Sequence, residues 1–267
     1  MEIRSVTKAI RLMEALADAE GPVGVTELAR QVDMDKSSVS RMLRTLETAG
    51  YVSQDPVSKS YLLGLTLVHL GQKVLRRLNL RNAARGSLEA LAMKSGECAH
   101  IAVLVGGRAL YIDQATPARG VSIDAPVGTL APLHCTALGK CLLAFQPALA
   151  IEALLPSLNL EAFTRRTLTD IGSITRDLEQ VRERQVSFDD EEFSVGVRCI
   201  ATPVFKHDGT VAAAIGLSGP SPRVTDERLR EWETMLREEA MSVSMQLGWE
   251  PPASMQRAKV DETSLNN

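Results

Sequence analysis

The sequence predicts an α+β protein in two parts, a mainly helical N-terminal part closed by a β-hairpin and a C-terminal α/β part. Three observations predict it. Residues 5–50 carry three short runs of helical periodicity, and two brief extended runs follow within residues 51–63. From about residue 83 strands and helices alternate, with glycine-rich turns between the strands. A length of 267 residues suits two modest domains better than one large one.

In chain order, Val6, Ala9, Ile10, Met13 and Leu16 share one face of a first amphipathic helix, which Gly21-Pro22 ends. Thr26 is placed to cap a short second helix carrying Leu28, Ala29 and Val32. The turn Asp33-Met34-Asp35 leads to a third helix with Val39, Met42, Leu43 and Leu46 on one stripe, stopped at Gly50. Tyr51–Gln54 and Tyr61–Leu63 read as a hairpin with a polar tip. Helices two and three are too short to bury their apolar faces alone, so both must pack on helix one. Three helices and a terminal hairpin make a winged helix-turn-helix, spanning residues 1–64.

Residues 65–82 read as an interdomain helix, with Leu67, Leu70, Val74 and Leu78 on a stripe flanked by Lys73, Arg76, Arg77 and Arg81. The second domain is expected over 83–250. In it Cys98–Val105 and Arg108–Gln114 flank Gly106-Gly107, a hairpin signal. Helical runs are expected near 136–145, 148–155 and 173–184, and strands at Val197–Phe205 and Thr210–Leu217. A last helix near 225–247 carries Leu229, Trp232, Leu236, Ala240, Val243 and Leu247 on one face. The tail 251–267 has little apolar content and is expected to be mobile.

Composition narrows the function classes. No stretch approaches the ~20 apolar residues of a membrane span, and the N-terminus lacks the pattern of a signal peptide, so a cytoplasmic protein is expected. The four cysteines are too few and scattered for a disulfide scaffold. Net charge is silent on nucleic acid: it is −3 overall, and residues 1–64 hold eight Lys/Arg against nine Asp/Glu. What matters is where the charges sit. Lys36, Ser37, Ser38, Ser40, Arg41, Arg44 and Thr45 occupy the solvent side of the third helix, with no acid between Lys36 and Arg44. Short hydroxyls let a helix lie deep in a major groove, and arginine can grip guanine with two hydrogen bonds. An ordinary solvated helix face would show the same basic residues. The helix-turn-helix spacing and a wing carrying Lys59 favour double-stranded DNA.

Several motifs then line up in order. They are Thr26-Glu27-Leu28-Ala29, Lys36–Leu43, Gly50-Tyr51-Val52, Tyr61–Gly64, Leu70-Gly71, Gly96-Glu97, Pro132–Lys140, Asp190-Glu191-Glu192, Gly196–Ala201 and Ser218-Gly219-Pro220. In sequence and spacing together they resemble the IclR family of bacterial transcription regulators, from Ser5 to Gly248. The resemblance implies a winged helix joined by a helix to a GAF-like effector-binding domain. It also implies a dimer or tetramer acting on a near-palindromic operator.

The C-terminal residues offer a pocket. Thr136 is placed to cap a helix starting near Ala137, whose free N–H groups would attract oxyanions, and small residues at Ala137 and Gly139 would let a ligand approach the backbone. Strand alternation puts Val197 and Cys199 on one face with Arg198 opposite, and Gly216 and Ser218 on a common face of the neighbouring strand. Family effector sites resemble this arrangement, and the matching positions are Ala137, Leu138, Asp189, Val197, Cys199, Gly216 and Ser218. Two departures bear on the ligand. Gly216 stands where some carboxylate-sensing members have serine, and Leu138 where a smaller residue is common. Asp189 would repel a simple anion, so the expected effector is a small organic acid, hydroxy, keto or aromatic, carrying a hydroxyl or carbonyl besides its acid group. Cys135 and Cys199 also read as small buried residues, and Asp189 as a turn cap. Glu191 and Glu192 point apart on an extended chain and form no catalytic pair; they could pair with Arg198 or Lys140.

Enzyme and metal-sensor readings find less support in the residues. His134-Cys135 with Asp189 could suggest a cysteine nucleophile, but no distant histidine is tied to them. His134, Cys135 and Cys199 could form a metal sensor, but no CxxC or HxxxH pair supports it, so no cofactor or metal is expected.

Overall fold

The computed structural model describes residues 3–77, 79–117, 123 and 125–251. Leu78, the side chains of Val74, Arg76 and Arg77, and the tail from Pro252 onward lie outside that description. Two compact units divide the chain after Arg77.

In the first unit α1 (Arg4–Ala17), α2 (Val25–Gln31) and α3 (Lys36–Thr48) precede the hairpin of β1 (Val52–Gln54) and β2 (Tyr61–Leu63), and α4 (Thr66–Arg77) follows. Val52 pairs with Leu63 and Gln54 with Tyr61. One core joins all three helices to the hairpin: Leu12 and Leu16, Leu28, Val39 and Leu43, Val52 and Tyr61. The apolar stripe expected on α1 divides in two. Of its members Leu16 is buried and Ala9 and Met13 are half-buried, whereas Val6 (52%) and Ile10 (45%) stay exposed, and Leu12, outside that stripe, fills the core instead. Thr26 does not cap α2; Gly24 does. The cause is Val23, whose backbone bridges Tyr61 at 2.8 and 2.9 Å and carries the chain straight from the wing into the helix.

The second unit begins with α5 (Asn79–Ser95), a helix the sequence expectation does not include beyond residue 82. The stretch read as one linking helix, 65–82, thus holds α4 and the start of α5. A six-stranded antiparallel sheet follows, in the order β5-β4-β3-β8-β7-β6. Its members are β3 (Cys98–Val105), β4 (Arg108–Ala115), β5 (Leu130–Ala131), β6 (Ser187–Asp190), β7 (Val197–Phe205) and β8 (Val211–Pro220). Between β5 and β6 lie α6 (Ala137–Ala144), α7 (Ala148–Leu154), a short 3-10 turn at 155–157 and α8 (Ile171–Arg184); α9 (Asp226–Gln246) closes the unit.

Parity along the strands assigns the faces. Ala102, Ala201 and Ala214 pack with Leu138, Cys141 and Leu142 of α6 and with Ile174 and Leu178 of α8. Arg198, of opposite parity, bonds Asp226 at the start of α9 at 2.7 Å. Thus α6 and α8 cover one face and α9 the other, beside α5. Alanines on the α6 side let that wholly buried helix lie close to the sheet. Gly139 is needed there for packing rather than for a ligand: a Cβ would strike the Pro132 carbonyl and the Thr136 hydroxyl.

Candidate functional site

The exposed face of α3 is the first candidate. Asp35 caps the helix, accepting from the Ser38 amide at 2.8 Å and the Ser37 hydroxyl at 2.6 Å. The hydroxyls of Ser37 and Ser38 and the Ser38 amide hold this carboxyl well below the usual carboxylate range. The nearest acid to the helix start is therefore already engaged, and the donors it uses belong to the helix itself. Lys36, Ser37, Arg41, Arg44 and Thr45 are exposed, while Ser38 and Ser40 are half-buried. Thr45 turns its hydroxyl back to the Arg41 carbonyl at 3.1 Å. Lys59 is exposed at the wing, in a left-handed conformation (φ 57°). Asp55 braces the tip by accepting from the Val57 and Ser58 amides at 3.0 and 2.6 Å.

In the second unit one cavity of about 390 Å³ gathers all seven positions expected there: Ala137, Leu138, Asp189, Val197, Cys199, Gly216 and Ser218. Local chemistry explains how they meet. Thr136 accepts from the Gly139 amide at 3.1 Å and donates to the Pro132 carbonyl at 2.7 Å, which locks the start of α6. The amides of Ala137 and Leu138 fall in the first turn, where a helix has no internal acceptors. Register puts Asp189 beside Cys199 and Cys199 beside Ser218 in one row across β6, β7 and β8. Gly216 lies so close to β7 that a Cβ would meet the Ile200 carbonyl at 2.5 Å, so a serine there would require the strands to shift.

Tyr111, Thr136, Phe193 and Ser194 also line the cavity, together with Ile123, Ala125, Ile200 and Leu217. None of these was expected. The sequence marks Thr136 only as a cap. Phe193 and Ser194 lie in a turn without periodicity, where alternation says nothing about direction. Asp189 is both a turn cap and a cavity wall. One of its oxygens accepts from the Glu192 and Phe193 amides at 2.7 and 3.3 Å. Burial pushes its carboxyl up to about 6, against the pull of those amides and of Lys140. Burial raises the Cys199 thiol well above its ordinary value, reinforced by Asp189, so it is a neutral wall rather than a nucleophile.

The acidic run resolves into separate ion pairs. Lys140, buried, contacts Glu192 at 2.6 Å and Asp177 at 3.1 Å. Burial works against its charge, but the two carboxylates outweigh it and hold the ammonium protonated. Asp190 instead pairs with Arg198 at 2.7 Å and with Arg166, and Glu191 accepts from the Gly196 amide at 2.7 Å. His134 contacts the Glu161 carbonyl at 3.0 Å. Among the described residues no group of three His, Cys, Asp or Glu side chains is placed to hold a metal, and no helix is long and apolar enough to cross a membrane.

Comparison with known proteins agrees with this division. Residues 5–56 match the IclR helix-turn-helix domain, and residues 72–245 match the family described as bacterial transcriptional regulator IclR, C-terminal. The chain is 35% identical over 247 residues to the HTH-type transcriptional regulator KdgR of Escherichia coli, covering 92% of this chain and 94% of that protein. An IclR transcriptional regulator from Alicyclobacillus acidocaldarius has the same fold, with a TM-score of 0.82 at 29% identity over 93% of this chain and 100% of that one. A fold likeness at 21% identity and TM-score 0.77, over 91% of this chain and 98% of the other, links it to an IclR homolog complexed with 4-hydroxybenzoate from Microbacterium hydrocarbonoxydans. Transcription regulators, rather than enzymes, are what this chain resembles.

Proposed function

The chain belongs to the IclR family of bacterial transcription regulators, and on that premise we propose that a small organic acid bound in the C-terminal cavity changes its affinity for a near-palindromic DNA operator. The operator is read by Lys36, Ser37, Ser38, Ser40, Arg41, Arg44 and Thr45 of α3, with Lys59 on the wing touching phosphate. The observation that supports the effector reading is that the seven positions matching the family's effector sites all line one cavity. Its volume of about 390 Å³ suits a ligand up to the size of a ring acid. An IclR homolog of this fold is complexed with 4-hydroxybenzoate, a molecule of that class.

The protein works in the cytoplasm, as at least a dimer. Val6 and Ile10 on α1, with Leu65, Val68 and Leu70 around the start of α4, leave apolar surface that a second copy would cover. Half-sites then lie about one helical turn apart, ~34 Å, or a multiple of it.

The test is an anisotropy titration of the chain against labelled DNA from upstream of its own gene, with and without a panel of small organic acids. At least one acid should shift operator affinity by about 5–150-fold. Ala137→Trp, which fills the cavity, should abolish that shift and leave operator affinity alone. A full response in the variant would place the sensing site elsewhere.

A further inference from the structure

The cavity holds two polar groups whose bonding is incomplete, and they come from opposite ends of the sheet. Tyr111, on β4, turns its ring into the cavity, with the edge of His100 packed on it at 5.5 Å between centroids. Among the described residues no group hydrogen-bonds its phenol. Burial raises the phenol far above its ordinary value, and Cys199 and Asp189 lie close enough to raise it further, so the group is a neutral donor. Asp189, on β6, accepts from the turn amides of Glu192 and Phe193 with one carboxylate oxygen and also from the Cys199 thiol, which still leaves an ionised carboxylate room for a further donor. The other cavity hydroxyls are differently placed: Thr136 is occupied by its cap, Ser218 bonds the Cys199 thiol, and Ser194 sits at the exposed rim.

A donor and an ionised carboxylate facing one space are satisfied together by a group that both accepts and donates. A hydroxyl does both, a ketone only accepts, and a methylene does neither. Buried groups left unpaired cost more than a made bond returns, which turns this difference into selectivity. We propose that Tyr111 and Asp189 jointly read a hydroxyl of the effector, making the cavity selective for hydroxy acids over matched keto or unsubstituted acids. The acid group itself goes to the open amides of Ala137 and Leu138 at the start of α6. This inference rests on the reading of the cavity as the effector site.

Calorimetric titration of the full chain with matched pairs tests it: 4-hydroxybenzoate and benzoate, 3-hydroxybutyrate and acetoacetate, lactate and pyruvate. In at least one pair the hydroxy member should bind about tenfold tighter, the scale of one well-made buried hydrogen bond. Tyr111→Phe, which removes only the hydroxyl, should bring that ratio to within about twofold by weakening the hydroxy member alone. Equal affinities within every pair, no binding by any of them, or a preference that survives Tyr111→Phe would overturn the proposal. Ala137→Trp separates this from failure of the underlying reading. Acids that bind the wild type but not this variant occupy the cavity, whereas undiminished binding to it removes the cavity as the site. Should Ala137→Trp melt early, Ser218→Leu fills the opposite wall and serves the same purpose.

Discussion

The two units carry function in opposite ways. In the N-terminal unit the candidate residues sit on the outside of one helix and one turn, and the core behind them, Leu12, Leu28, Val39 and Leu43, only presents them. In the C-terminal unit the candidates are walls of a cavity, drawn from β4, β6, β7, β8 and the start of α6. An exposed helix face is specified by one periodic segment, and losing a side chain from it costs contacts but little stability. A cavity is specified by the register of a whole sheet, and its polar members are also structural. Substitutions should therefore separate binding from stability in the first unit and entangle them in the second.

The largest expected effect tests that entanglement. Lys140→Met leaves Glu192 and Asp177 facing each other without their cation, at a buried position. Breaking such a pair costs ~3–5 kcal/mol, so chemical denaturation should show the C-terminal unit strongly destabilised. An unchanged midpoint would mean that the cavity wall does not depend on this ion pair. Next comes the contrasting case. Arg41→Ala combined with Arg44→Ala should weaken operator binding by ~1–3 kcal/mol for each arginine that reads a base, while the melting temperature stays put. Native-like binding by the double variant in a gel-shift assay would end the assignment of α3 as the reading helix.

A smaller effect concerns pH. Asp189 titrates near 6, so above that value it is a carboxylate acceptor and below it a carboxylic acid able to donate. The preference for hydroxy over keto acids should therefore be fullest above pH 7 and fade as pH falls through about 6. The groups facing Asp189 include Cys199 on β7, Tyr111 on β4, Lys140 on α6, Cys135 just before α6 and Glu192 in the turn; Glu192 itself is pushed up to about 7 by burial. Asp189→Asn should flatten the profile, and titrations at several pH values check it. Smallest is the wing. Lys59→Ala should weaken operator binding uniformly across sequences and reduce the salt slope by about 1, as measured by anisotropy at several salt concentrations.

Sequence alone determined whatever depends on short-range periodicity. The three helices before the first hairpin, the hairpin at Gly106-Gly107 and the alternation that faces Val197 and Cys199 away from Arg198 all follow from spacing within one segment. So does the cap at Thr136, which needs only its own next three residues. The α2 cap went astray because Val23 answers to Tyr61, a partner 38 positions along the chain. Tyr111 shows the same limit at the site itself. Asp113 pairs with Ile101 and meets Arg81 and Arg85 of α5 at 3.1 and 3.2 Å, so alternation along β4 would turn Tyr111 toward α5 as well. A bulge between Ile101 and Ala102 changes the register, pairs Tyr111 with Ala102 and turns the phenol into the cavity. A bulge belongs to two strands at once: one extra residue on β4 has meaning only against the strand it fails to match. That is why the tertiary structure, and not the order of residues along β4, decided which way Tyr111 faces.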